Sequence, residues 1–419
     1  MLIKYQQYFL VIYIVFSFLV IYVYFENMKL FIIPSWYPTK LSPNNGCFFK
    51  KWAEFLNKSS NDVVVIAPVL HSLRLFFDYH KKSRENGLHM TNKVPTFISE
   101  NINIFPKNEK CAFYRYKSQT INLFNQAVDR YGKPDLVLCH SSIWAGAAIS
   151  KKLKNQKIPF VIVEHLKEFL IKKSLSSFAE NVVNQTYDLC NKIIVPSNAL
   201  KEAIHPKYNL DERKIAVIPN PIDEDVFTLK PRKQKNYKIN ISCVSLLRKE
   251  KRIDLIVDSF KEIIKDGINA QLNIIGSGEL NSTIKKQIKK LGLSDKIKLT
   301  GYLKEGKIVE KLHKTDVFIM ASDVETFGLS LIEAQACGIP AVVTKCGGPN
   351  DIIIEKTGLL VETNSVQSLS NGLKKIIFQI DQYDPNIIRD ITINRFGKDI
   401  YIKSIQSLIN NLLKSQKVH

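Results

Sequence analysis

Ala321-Ser-Asp-Val-Glu-Thr-Phe-Gly-Leu-Ser-Leu-Ile-Glu-Ala-Gln-Ala-Cys-Gly-Ile-Pro340 lies between two short apolar runs, Val317-Phe-Ile-Met-Ala321 and Ala341-Val-Val-Thr344. Each run has the length and composition of a buried strand. Gly338 and Pro340 stop the helix that the intervening segment would form. The unit therefore reads strand, loop, helix, strand, with the loop at a strand's carboxyl end, where open α/β sheets place their ligands. That loop holds Glu325, Thr326, Phe327 and Gly328, and the helix holds Leu329 and Glu333. A helix amino terminus beside a glycine offers free N–H groups and a positive dipole end to a phosphate. A carboxylate one turn in can accept from two ribose hydroxyls, and a second on the loop from a sugar beyond the phosphates. The chemistry of the stretch is that of a nucleotide-sugar site.

Other stretches repeat the design. Leu30–Ile33 predicts a first strand, followed by a loop with Asn44-Asn45-Gly46 and a helix from Cys47, so Gly46 lets the backbone approach a ligand. Val63–Ala67 is another strand. Residues 70–125 are aromatic and basic without a clear period. Pro134–His140 and Pro159–His165 are strands ending in histidine, the second preceded by Glu164. Ile193–Asn198 is a strand and turn, and Ile239–Ser245 is a strand followed by the cationic turn Leu246-Leu-Arg-Lys-Glu-Lys-Arg252. Cations there suit a leaving diphosphate. Leu272–Gly278 is a strand with a glycine turn at Gly276, Lys298–Leu303 a strand end carrying Tyr302 and Leu303, and Cys346–Asp351 another glycine turn. Helical patterns close the chain at 366–378 and 396–413.

At 419 residues the chain predicts two domains of ordinary size. Lys and Arg number 60 against 39 acidic residues, a net charge of +21 that suits anionic lipid, phosphorylated substrate or nucleic acid. No nucleic-acid motif accompanies it, so no nucleic-acid partner is expected. The seven cysteines contain no C-x-x-C pair and read as reduced thiols. Residues 9–25 are apolar or aromatic except Ser17, about 26 Å of helix against a hydrocarbon core of roughly 30 Å. No cleavage site follows, so 1–27 reads as a hydrophobic leader or membrane anchor. Asp223-Glu-Asp225 fits a metal-holding D-x-D, although a charge-rich turn opening a linker accounts for it better.

Glu325-x7-Glu333, with the Phe-Gly-Leu-Ser and Ala-Cys-Gly-Ile-Pro around it, resembles the signature of the bacterial family 4 retaining glycosyltransferases. The resemblance covers almost all of 28–419. It implies the GT-B fold, two doubly wound, Rossmann-like parallel-sheet domains facing across a cleft. The expected boundaries are 28–220 for the acceptor side, 221–392 for the donor side, and 393–419 for a helix crossing back. In relatives chains commonly begin at the position of Met28. The implied activity is hexosyl transfer from a nucleotide-diphosphate sugar to a hydroxyl of a glycan or lipid-linked acceptor, in surface polysaccharide or lipid-linked oligosaccharide assembly. No metal and no other cofactor is expected. The implied catalytic set is His165, Glu325 and Lys251. The donor set is Gly46, Arg248, Lys251, Gly276, Tyr302, Leu303, Glu325, Phe327, Gly328, Leu329 and Glu333. The family's Gly-Arg-Leu is Ser245-Leu246-Leu247 here, so its arginine is missing, with Arg248 as a shifted substitute and Lys251 matching the lysine. That gap admits an alternative, a non-catalytic nucleotide-sugar-binding protein. The implied location is the cytoplasm, at the membrane's inner face, whose anionic surface suits the basic charge.

Overall fold

The computed structural model describes residues 28–59, 61–81, 84–171, 175–229 and 238–417, so the leader 1–27 lies outside the described residues. Among the described residues no helix is long and apolar enough to cross a membrane. The chain divides into two compact units, one reaching Glu164 and including Ser176–Ile193, the other comprising His165–Leu175 and the chain from Ile194 onward.

The first sheet is built from β1 (Lys29–Pro34), β2 (Asp62–His71), β3 (Gly87–Thr91), β4 (Val94–Ile102), β5 (Leu136–His140), β6 (Phe160–Val163), β7 (Lys192–Val195) and β8 (Ile215–Val217). Their order is β3-β4-β2-β1-β5-β6-β7-β8. β1 lies parallel to both β2 and β5, and β3 runs antiparallel to β4. β1 and β5 are buried along nearly their whole length, which is why they read as unbroken apolar runs. After β5 the chain makes a π-helical turn, Ser141–Gly146, before the α-helix Ala147–Asn155 begins.

The second sheet comprises β9 (Ile239–Val244), β10 (Ala270–Ile275), β11 (Ile297–Gly301), β12 (Val317–Met320), β13 (Ala341–Thr344) and β14 (Gly358–Val361). The order β11-β10-β9-β12-β13-β14 is that of a dinucleotide-type doubly wound sheet, with its direction of winding reversing between β9 and β12. Val317 pairs with Ile241 and Phe318 with Ser242 at that reversal. Alternate residues serve opposite cores. Val317, Ile319 and Val342 join the one made with the amphipathic helix Ile253–Lys265, whereas Phe318, Met320 and Val343 join the one made with Leu329–Ala336. The chain ends in two helices, Pro385–Phe396 and Lys398–Lys417, divided at Gly397. The sequence pattern predicts a helix running on from Phe396. Instead Gly397 leaves helical geometry and forms a bridge with Ile222.

Candidate functional site

The carboxyl ends of β9 and β12 flank the reversal point of the second sheet, and each is followed by a loop carrying charge. After β9 the segment to Arg252 includes the short turn Lys249–Lys251. After β12 comes Ala321 to Gly328. The two are tied together by a backbone bond from Asp323 N–H to Glu250 C=O at 2.8 Å and by an ion pair between Lys251 Nζ and Glu325 Oε1. Ser322 Oγ donates to the same carboxylate oxygen at 2.8 Å, and Thr344 Oγ1 fixes the Ser322 carbonyl at 2.7 Å. The two side chains of the pair are only 21 % and 16 % exposed, so water screens their charge poorly. Cys243 and Cys346 lie in the same surroundings, and burial pushes both thiols up to about 12, which keeps them protonated and poor nucleophiles.

Glu325 is held by its backbone as well as its carboxylate. Its N–H donates to Cys346 C=O, and its own carbonyl accepts from Gly348 N–H, both at 2.8 Å. Gly348 packs so closely that a Cβ there would stand 2.4 Å from Phe327 Cα, which accounts for a glycine at that position. Gly328 has φ 124°, a conformation side-chain-bearing residues rarely adopt, and it turns the chain into the helix Leu329–Ala336. No side chain caps that helix, so the N–H groups of Leu329 and Ser330 are available to an anion, whereas that of Leu331 donates to the Gly328 carbonyl at 3.1 Å. Phe327 is buried and fixes the loop against Phe396, with ring centroids 5.6 Å apart. Glu333, the helix's fifth residue, is partly exposed while Leu331, Ile332 and Ala334 beside it are buried.

The segment 165–175 belongs to the same unit. Lys167 ion-pairs with Glu250, the residue before Lys251, which brings His165 to within two residues of this cluster. Burial works to raise the Glu250 carboxyl, but the hydrogen bond from Lys167, a backbone hydrogen bond and the charges of Lys167 and Lys251 together outweigh it and hold the group below its ordinary value. Burial pushes the His165 imidazole down to about 3, so the ring is neutral at physiological pH even though part of the residue reaches solvent. A histidine that stays neutral in the native state but protonates near 6.5 when unfolded makes the unfolded state the better proton binder between those values. Stability therefore falls as pH drops from about 6.5 toward 3, by roughly 2 kcal/mol at pH 5. Urea unfolding at pH 7 and pH 5 is expected to show this loss, and His165→Gln to remove most of it.

The remaining donor-side candidates line the same sheet edge. Gly276 ends β10, its N–H bonded to Gly301 C=O at 2.9 Å. Tyr302 follows β11 and is exposed, and Leu303 is half-buried. Arg248 and Leu246 are both exposed on the turn after β9. Three contributions carried no local sequence signal. They are the Lys167–Glu250 pair, the Ser322 hydroxyl, and Arg389, which donates to Phe227 C=O at 2.5 Å and Ala336 C=O at 2.6 Å and so closes the far end of the Leu329–Ala336 helix. In the D-x-D turn, Asp225 ion-pairs with Lys398. Among the described residues no group of three or more His, Cys, Asp or Glu is placed to hold a metal.

In the first unit the winding reverses between β1 and β5. Ser35 Oγ spans that point, donating to His140 C=O at 2.6 Å and accepting from Ala145 N–H at 3.1 Å. A cavity of about 180 Å³ opens there, lined by residues that include Trp36, Asn45, Asn103, Tyr116 and Trp144 but none that is charged. Gly46 begins the helix Cys47–Lys58 beside it, close against the Trp36 carbonyl. Glu164 is fully buried and accepts from Ser142 N–H, Ser142 Oγ and Tyr187 Oη at 3.0, 2.6 and 3.1 Å, a structural role that fixes the π-helical turn.

Residues 225–383 match the family Glycosyl transferases group 1, and residues 52–226 match Glycosyltransferase Family 4. The chain is 26 % identical over 395 residues to an uncharacterized glycosyltransferase of Methanocaldococcus jannaschii, covering 90 % of this chain and 94 % of that one. It is 25 % identical to N-acetyl-alpha-D-glucosaminyl L-malate synthase of Bacillus anthracis, over 65 % of this chain and 72 % of the relative. Among solved structures, sucrose-phosphate synthase from Thermosynechococcus elongatus superposes with a TM-score of 0.75 at 16 % identity, covering 93 % of this chain and all of that one. HepE from Anabaena, in complex with UDP and glucose, gives 0.69 at 17 %, with 92 % and 100 % covered. Two parallel-sheet α/β units, two adjoining family matches spanning 52–383 and this structural likeness make the chain a GT-B-fold glycosyltransferase of family 4.

Proposed function

We propose that the protein transfers a hexose from a nucleotide-diphosphate sugar to a hydroxyl acceptor with retention of anomeric configuration. The observation that carries this reading is the Lys251–Glu325 pair across the β9/β12 reversal, beside the uncapped helix at Leu329. In this reading Glu333 accepts the ribose hydroxyls and Glu325 a hydroxyl of the donor sugar. The diphosphate lies on Lys251 and the N–H groups near Leu329, with Arg248 at the periphery. As the bond from the anomeric carbon to the phosphate oxygen breaks, negative charge collects on the departing diphosphate, where Lys251 and the helix dipole offset it. The acceptor oxygen bonds to the anomeric carbon on the leaving group's own face, and its proton passes to the departing phosphate oxygen. Neutral His165 donates or accepts a hydrogen bond at the sugar without adding charge.

The uncharged, tryptophan-lined cavity beside Gly46 supports an acceptor whose entering group is a neutral, hydroxyl-bearing ring. Its size, below the roughly 300–1,000 Å³ of pockets that take drug-sized ligands, suits one ring. Relatives include alpha-monoglucosyldiacylglycerol synthase of Acholeplasma laidlawii, which supports a lipid-linked acceptor met at the inner face of the membrane, where cytoplasmic nucleotide-sugars are available. The test is thermal unfolding with UDP-, GDP- and ADP-sugars, since the true donor binds the native state and raises its melting temperature. Transfer to glycan and glycolipid acceptors is then assayed with the donor found. Leu246 in place of an arginine favours a second reading, a protein that binds the donor without turnover. Donor stabilisation with neither hydrolysis nor transfer would select it.

The diphosphate has a lysine, a nearby arginine and a helix terminus to meet its charge, so the reaction is expected to run without a metal. Activity should survive EDTA, and Asp223→Asn and Asp225→Asn should retain it. Asp225 is largely exposed in its pair with Lys398, so that substitution costs stability no more than about 1 kcal/mol. Loss of activity in chelator, restored by manganese or magnesium, would reject metal independence.

A further inference from the structure

Six of the thirteen exposed large apolar side chains among the described residues, Leu73, Phe76, Phe77, Ile104, Phe105 and Tyr114, fall on two neighbouring stretches of the first unit. Their clustering sets them apart from apolar residues scattered singly over a surface, which need no explanation. The two stretches leave the sheet side by side. β2 and β4 are parallel and in register to His71 and Ile102, and Asn103 N–H donates to His71 C=O at 2.8 Å. The turn Leu73–Leu75 and helix Phe76–Lys81 follow β2, and the loop 103–108 and helix Glu109–Tyr131 follow β4.

Their base is rigid. His71 Nε2 and Glu100 Oε2 form a buried pair at 2.7 Å, Glu85 N–H donates to Glu100 Oε1 at 2.6 Å, and Tyr79 Oη donates to the Glu100 carbonyl at 2.9 Å. Burial works to raise the Glu100 carboxyl, but the His71 and Glu85 hydrogen bonds prevail and keep it below its usual range, so the tether stays ionised at neutral pH. The apolar tips therefore project from a fixed platform.

Charge decides what they meet. Segments 72–79 and 103–117 contain five basic residues, Arg74, Lys107, Lys110, Arg115 and Lys117, against two acidic ones, Asp78 and Glu109. Of the two, Glu109 accepts a hydrogen bond from Ser176. Exposed phenylalanines and a tyrosine interleaved with cations form the surface that seats in the headgroup region of a bilayer, the rings entering the acyl boundary and the cations meeting anionic lipid. A second protein copy would have to bring the same basic patch against itself, which like charges oppose.

We infer that the loops after β2 and β4 dock the first unit on an anionic lipid bilayer, independently of the donor site. The test is peptide-resolved hydrogen exchange on the full chain with phosphatidylglycerol or phosphatidylcholine vesicles, a local readout that any binding through residues 1–27 leaves unconfused. Exchange in 72–78 and 103–108 is expected to slow several-fold with the anionic vesicles and stay unchanged with the zwitterionic ones. Peptides around exposed Phe378 should show no change with either. The double variant Phe77→Ser/Phe105→Ser should raise the phosphatidylglycerol concentration needed for half-maximal protection at least tenfold, with the melting temperature of the free protein unchanged. Absence of protection in both stretches, equal protection by both lipids, or an unaltered double variant would overturn the proposal. Protection that appears without lipid and grows with protein concentration would also overturn it, in favour of a second copy.

Discussion

Lys251→Ala is expected to lower kcat by about 10²–10³-fold, the loss seen when one preorganised stabiliser of developing charge is removed from a site sheltered from water. Two features of the site put the effect at the upper end of that range. Lys251 is 21 % exposed, so water replaces its charge poorly. Its removal also takes the cation from Glu325, whose carboxylate keeps the Ser322 hydroxyl at 2.8 Å and then adds negative charge beside the diphosphate. Glu325→Ala, by contrast, should lower turnover while leaving affinity for the free nucleoside diphosphate nearly intact, because its assigned partner is the sugar. If both effects are right, Lys251→Ala/Glu325→Ala loses less than the sum of the two, since the repulsion left by the first change is removed by the second. Steady-state kcat and KM for the three variants decide the matter. A Lys251→Ala enzyme within tenfold of the parent would mean that the leaving group's charge is met elsewhere, with Arg248 the first place to look.

What could be read from the chain was what the chain encodes locally. Strands β12 and β13 and the helix Val366–Phe378 lie where their patterns put them, because each keeps one apolar period, with Pro340 before β13 and Ser365 capping the helix. The stretch 70–125 resisted reading for a physical reason. β2 runs on through Pro68 to His71, and β4 contains Pro95 and Glu100, residues that argue against strands one at a time. Glu100 is tolerated because it meets His71 and the Glu85 N–H across the fold, which no window of sequence contains. The site shows the same division. Lys251 and Glu325 could each be named from a motif, but their pairing, 74 residues apart, could not. Lys167 reaches Glu250 across 83 residues, and Arg389 reaches Ala336 across 53, with only topology to join them.

Glu333→Ala is expected to weaken nucleoside diphosphate binding by roughly 1.5–3 kcal/mol, the range for hydrogen bonds to a charged group, or about 10- to 150-fold in Kd. Leu331, Ile332 and Ala334 are buried against the core, and Arg389 secures the helix at its carboxyl end through the Ala336 carbonyl. Glu333 is partly exposed on the same element, five residues in from the uncapped terminus assigned to the diphosphate. Alanine is the best helix former, so the substitution should leave the element and the melting temperature of the free protein intact. A loss of affinity would then report a lost contact and not a lost helix. The contact can be identified by pairing the variant with deoxynucleotides. If Glu333 accepts from the ribose, removing a ribose hydroxyl from the ligand weakens binding to the parent protein but changes little in Glu333→Ala, because the partner is already gone. Titration calorimetry with the nucleoside diphosphate and its 2′- and 3′-deoxy forms measures all the terms of that cycle. Equal losses from ligand and protein changes that simply add would place the ribose elsewhere and leave Glu333 as a solvated residue on the helix face.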